Sequence, residues 1–233
     1  LSDIHNYGGS SVRTLILNNS SIYDVQLSYL QLQNFEATNC PLSSIDLSYN
    51  QLKNFDVSGS SISLSSVNLE GNQLTSLNFN GNSSLIDLYV DNNPLDSLIL
   101  SGCSGLSSIY LSNWNNNGQL SYLNVDGCTG LYDIQCTGHQ LESLDLSSCT
   151  MLNYLECSMN NITSLNLSGL TQLNYLDFWG NPLDSLNLSG CSSLQYLYLE
   201  DTLSYLNLNG CTSLYSLDLS STHLSSLDLT TCT

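Results

Sequence analysis

One spacing rule runs through this chain from end to end: apolar-x-x-apolar-x-apolar, restarting every ten or eleven residues. Its cleanest stretch spans Leu131 to Leu194 and reads LYDIQCTGHQ, LESLDLSSCTM, LNYLECSMNN, ITSLNLSGLTQ, LNYLDFWGNP, LDSLNLSGCSS. Two units in tandem give a period of about 21 residues, and such a period builds one elongated body in which each repeat packs on its neighbours. Residues 1–233 are therefore expected to form a single solenoid domain.

Taking the first apolar residue of each unit as position one, apolar side chains fall at positions one, four and six. Positions four and six share one side of an extended strand, and the polar residue at five faces solvent. The units alternate in kind. One kind begins at Leu131, Leu152, Leu173 and Leu194, for example, and often carries Asn at position nine. The other begins at Leu120, Leu141, Ile162 and Leu183 and often carries Cys there. The chain holds eleven units of each kind, hence eleven coils. Parallel strands stacked about 4.8 Å apart would make the body roughly 50 Å long. The few residues between strands are too few for a stable helix, so Ser-Gly, Gly-Asn and Asn-Pro turns must return the chain. The expected fold is all-β, with two short parallel strands per coil and little or no helix. Three stretches break the metre: Ser58 to Ser63, Glu200 to Thr202, and Ser112 to Gln119 (SNWNNNGQ), the last expected to bulge.

Charge narrows the partners. Arg13 and Lys53 face 20 acidic residues, a net charge of −18. Nucleic acid needs clustered Lys and Arg, so it is excluded as a partner, and an anionic membrane surface is disfavoured on the same ground. No apolar run approaches the roughly 20 residues that span a bilayer, so no membrane insertion is expected. The opening at Leu1, without a signal segment, reads as a processed or excised piece.

The stretches LSSIDLSYN (Leu42 to Asn50), LSSVNLEGN (Leu64 to Asn72), LNYLECSMN (Leu152 to Asn160) and LNYLDFWGN (Leu173 to Asn181) resemble the leucine-rich-repeat signature. The nested 10+11 period is similar to the irregular microbial surface class of that family, and the resemblance covers nearly the whole chain. It implies a curved solenoid for protein recognition or adhesion, extracellular or at the cell surface, with ligand on the concave sheet. A convex helical segment and a cysteine-rich cap are both missing from the pattern.

Several residues invite a chemical reading, and each has a plainer one. Seven of the nine cysteines occupy position nine of the second unit kind; Cys136 and Cys157 occupy position six of the first. All nine thus fall on inward positions, where Cys acts as a small apolar residue. Stacked pairs such as Cys128 and Cys149 would bring Cα atoms within disulfide range. Their parallel Cβ vectors and the odd count point instead to free thiols, and no CxxC spacing suggests zinc. Asn50, Asn72, Asn93, Asn160 and Asn181 form a second inward column, with His139 as a structural substitute, suited to satisfying backbone groups of the neighbouring coil. Six sequons occur, at Asn18, Asn19, Asn82, Asn161, Asn166 and Asn187, most of them expected by chance in so Asn- and Ser-rich a chain. No nucleophile motif or phosphate loop is present, so no enzyme is expected.

The functional signal lies in the outward residues. Twelve of 14 tyrosines belong to the first unit kind, whereas every Phe sits at position four or six. Tyr154, Tyr175 and Tyr196 share position three in successive coils and should form a ladder. Tyr132, Glu156, Asp177, Trp179 and Tyr198 are expected close beside it, with Trp114 on the bulging loop. Rigid exposed aromatics among hydrogen-bonding groups compose recognition surfaces; the plainer reading is strand propensity and cross-strand stacking. These residues are the candidate site, with a protein or glycan as ligand. An alternative is a structural protomer stacking head to tail through open solenoid ends into a filament. A minor alternative is ice binding through the Ser-, Asp- and Asn-rich opposite face. No cofactor is expected beyond weak surface calcium binding by the acidic rows.

Overall fold

The computed structural model describes residues 2–5, 12–60, 63–113, 118–199 and 203–232. Ten-residue units leave room for three-residue strands, and every strand has that length. The first unit kind supplies one strand per coil: Asp3–His5, Asp24–Gln26, Ser44–Asp46, Ser66–Asn68, Asp87–Tyr89, Ser108–Tyr110, Asp133–Gln135, Tyr154–Glu156, Tyr175–Asp177, Tyr196–Tyr198 and Ser216–Asp218. These eleven pair in parallel as one continuous sheet, in strict register from coil to coil. Among the described residues there is no helix, and therefore none long and apolar enough to cross a membrane.

Positions one, four and six point inward as expected. In the coil from Leu173, Leu173, Leu176 and Phe178 are all within 1% of complete burial, and each such side chain contributes roughly 1.5–3 kcal/mol of hydrophobic stabilisation. The two inward columns at position nine share one task, which is to donate a hydrogen bond to the position-six carbonyl of the preceding coil. On the long-sheet side Asn50, Asn72, Asn93, Asn160 and Asn181 donate from Nδ2 to Leu27, Leu47, Leu69, Cys136 and Cys157 at 2.7–3.0 Å. Their Oδ1 atoms accept a backbone N–H in return, as Asn160 does from Leu141 at 3.1 Å. His139 keeps the column intact with Nε2 against the Leu111 carbonyl at 2.5 Å. Burial lowers its pKa, so it serves as a neutral donor.

On the other side the thiols do the same work. Cys103, Cys128 and Cys191 reach the carbonyls of Phe79, Leu100 and Leu167 at 3.1 Å, and Ser60 reaches Ala37 at 2.6 Å. Burial pushes the Cys103 and Cys191 thiols up to about 11 and those of Cys128, Cys149 and Cys211 to about 12, which leaves them protonated and inert. The expectation of nine free thiols needs correction: Cys136 and Cys157 are joined as a disulfide, both fully buried. The long sheet's register holds their Cα atoms 4.8 Å apart, each one residue past its strand. Cys128 and Cys149 sit in turns instead, with sulfurs aimed at carbonyls, and stay free. Cys232 is also free and only partly buried.

The other strand of each coil is less continuous than the first. It forms three short sheets, Thr14–Ile16 to Asn54–Asp56, Ser76–Asn78 to Tyr122–Asn124, and Ser185–Asn187 with Tyr205–Asn207, instead of one continuous ladder. The units from Leu141 and Ile162 keep their inward leucines but hold a single bridge, Asn166 to Asn187. Each break coincides with a weakened donor in the thiol column. Asn82 replaces Cys beside the first break and leaves both side-chain polar atoms buried without a partner. Leu170 has no donor to offer, and Cys149 and Cys232 reach their carbonyls only at 4.0 and 3.9 Å. The stack is thus hydrogen-bonded at every coil along the long sheet and only in stretches on the other side.

Position five on the split side has a local role too. Asp56, Asn78, Asn124, Asp145, Asn166, Asn187, Asn207 and Asp228 each accept the N–H two residues on through Oδ1, which closes the turn. Of the sequons, Asn82 is fully buried and closed to modification.

Candidate functional site

The outward face of the long sheet carries two parallel rows. Register places Tyr154, Tyr175 and Tyr196 in one, and Gln135, Glu156, Asp177, Tyr198 and Asp218 in the other. The tyrosine ladder is real: Tyr154 and Tyr175 stack at 4.3 Å and 4°, while Tyr175 and Tyr196 tilt by 40° at 6.3 Å. Tyr215, one coil on, meets Tyr196 edge-on at 5.9 Å. Tyr198 leans on Tyr175 at 5.6 Å, so aromatic contact crosses from one row to the other. No described tyrosine is buried in the core, whereas Phe35, Phe79 and Phe178 are.

Phenols and carboxylates alternate by design of the register. Tyr154 donates to Glu156 Oε2 at 3.1 Å, Tyr175 approaches Asp177 Oδ2 at 3.5 Å, and Tyr49 donates to Glu70. Neutral hydroxyl donors thus serve the acids where cations are lacking. Burial first, then the neighbouring carboxylates, push the Tyr154 and Tyr175 phenols up, and the bond to Glu70 lifts Tyr49 to about 12.

The structure sorts the expected site residues. Tyr154, Tyr175, Tyr196, Tyr198 and Asp177 come together on the sheet, with Trp179 at the turn directly after its strand. Tyr175, Asp177, Trp179, Tyr198, Leu199 and Asp218 line an open hollow of about 230 Å³. Glu156 was expected on the wet surface but is buried, bonded by Thr137 as well as Tyr154, and desolvation raises its pKa. It is a support beneath the ladder. Tyr132 lies one residue before its strand, exposed and outside the ladder's ring contacts. Trp114 lies outside the described residues.

Two aromatic pairs were missed. Tyr89 and Tyr110 stack at 5.0 Å and 7° in the position-five row. Tyr29 and Tyr49 stack at 4.7 Å and 11°, both in the left-handed backbone region that favours glycine. Each pair repeats one residue type at one position in successive units, the same signal that exposed the main ladder. Among the described residues no group of three or more His, Cys, Asp or Glu is gathered to hold a metal.

No protein-family model and no curated protein matches the sequence. Solved structures do. The functional domain of InlJ from Listeria monocytogenes, which includes a cysteine ladder, is 23% identical with a TM-score of 0.53, over 95% of this chain and 66% of that one. An internalin, inlF, from Listeria monocytogenes is 21% identical with a TM-score of 0.42, over 82% and 71% of the two chains. TLR13 in its complex with ssRNA13 is 18% identical with a TM-score of 0.29, over 97% and 55%. The chain thus spans about two thirds of the InlJ domain's length. The first likeness, the repeat signature and the 21-residue coils establish a leucine-rich-repeat solenoid fold.

Proposed function

We propose that this chain is a non-catalytic recognition or adhesion solenoid, acting outside the cell, that binds a protein or glycan through the tyrosine-bearing face of its long sheet. The observation that carries this reading is the aromatic ladder itself, ordered by stacking yet left on the outer surface. Pre-stacked rings lose little entropy on binding. The buried Cys136–Cys157 disulfide supports an oxidising compartment. Fluorescently labelled chain, applied to glycan arrays and panels of purified surface proteins, tests the reading. Binding should be lost in the triple variant Tyr154→Ser, Tyr175→Ser, Trp179→Ser and retained in Ser97→Ala on the split side. Retention by the triple variant would refute the face.

A structural protomer that joins end to end is the second reading, resting on the regular parallel stacking of one coil on the next. Electron micrographs at micromolar concentration separate the two: dispersed rods support recognition, long fibres support polymerisation. Ice binding is the weakest reading, because the split side interrupts the flat array it would need.

A further inference from the structure

We propose that the hollow among Tyr175, Trp179 and Tyr198 takes the cationic head of an arginine or lysine side chain from a basic segment of a partner protein. Asp177 and Asp218 are its countercharges. The proposal rests on the reading of this face as the binding face and names the chemistry it selects.

Strand register sets Tyr198 between Asp177 and Asp218 in one row. Each carboxylate is anchored through one oxygen. Asp177 Oδ1 accepts from Ser158 Oγ at 2.6 Å, and Asp218 Oδ1 accepts the Ser220 N–H at 2.9 Å and its hydroxyl at 2.5 Å. The second oxygens are nearly idle: Asp177 Oδ2 meets the Tyr175 phenol only at 3.5 Å, and Asp218 Oδ2 accepts no hydrogen bond among the described residues. Two oriented acceptors therefore flank tilted aromatic rings around about 230 Å³, room for one guanidinium or ammonium group.

The chain supplies no such cation. Its two basic residues, Arg13 and Lys53, lie in the first and third coils, while the hollow belongs to the ninth, tenth and eleventh. A net charge of −18 draws cations toward the surface. Aromatic faces hold a cation by its attraction to the ring quadrupole, and the free carboxylate oxygens add charge-assisted hydrogen bonds. A neutral sugar could stack on the rings but would leave both carboxylates without a countercharge.

Calorimetric titration of the full chain with a hexa-arginine peptide, and separately with the tetrasaccharide of N-acetylglucosamine, tests this. The peptide should bind, with affinity falling at least about tenfold in Trp179→Ala and in Asp218→Asn, which keeps the Ser220 contacts. Asp145→Asn removes the same charge from the split side and should change affinity by less than about twofold. Equal losses in Asp145→Asn and Asp218→Asn would reduce the effect to diffuse attraction and overturn the proposal, as would absence of peptide binding. Sugar binding lost in Trp179→Ala would overturn the cation assignment while sparing the face. Indifference of both probes to every substitution on the face would sink both.

Discussion

Asn82 occupies a place in the thiol column where most coils set a cysteine, and the coil before it offers its amide no partner. Burial of two unsatisfied polar atoms is unfavourable by roughly 1–3 kcal/mol. Asn82→Cys restores the column's own donor and should raise stability by about that amount, read as a higher urea midpoint at unchanged slope. A lower midpoint would show that the amide has a use. Asp91 makes a second case. Desolvation, then the nearby Glu70, raises its pKa to about 6. The raised value means the fold disfavours the charged form, so stability is reduced at pH 7 and recovers as pH falls through 6 toward the unfolded value near 4. Asp91→Asn should stabilise by about 2 kcal/mol at pH 7 and be nearly neutral at pH 4, checked by melting curves at both.

At the scale of the element, the two sides of each coil differ in their amides. The position-six N–H groups of Leu47, Leu69, Val90 and Cys136 all bond the next coil at 2.7–2.9 Å. Those of Val57 and Val125, beside the breaks, reach no carbonyl among the described residues. Hydrogen exchange should therefore strip Val57 and Val125 long before Leu47 and Leu69; uniform protection would mean the side closes in solution. Inward positions were legible in the sequence because period two within a strand and a fixed restart leave a leucine no alternative. The Asn column was legible for the same reason. The breaks were not, since Leu144 and Leu165 still look like core strand residues and nothing local reports a missing rung. Their trace was present at Asn82 and Leu170, where the column changes chemistry, but its meaning needs the carbonyl those residues fail to reach. Likewise Glu156 sits at an outward position, and its burial appears only once Tyr154 and Thr137 are assembled around it. The disulfide escaped because parallel Cβ vectors and an odd count argued for free thiols, although register brings Cys136 and Cys157 to a Cα separation of 4.8 Å.

Across the whole molecule, acids outnumber bases by 20 to two, and hydroxyl and amide donors rather than cations hold the carboxylates. Such donors orient an acid without cancelling its charge. Raising sodium chloride from about 10 to about 200 mM should therefore lift the melting temperature, and millimolar calcium should do so at lower concentration. A melting temperature indifferent to both would show that the rows repel too weakly to matter. The lopsided bonding has a mechanical meaning as well. One flank is a spine stitched at every rung, and the other is a set of loose leaves, so thermal bending should open and shut the leaves while the spine keeps its pitch.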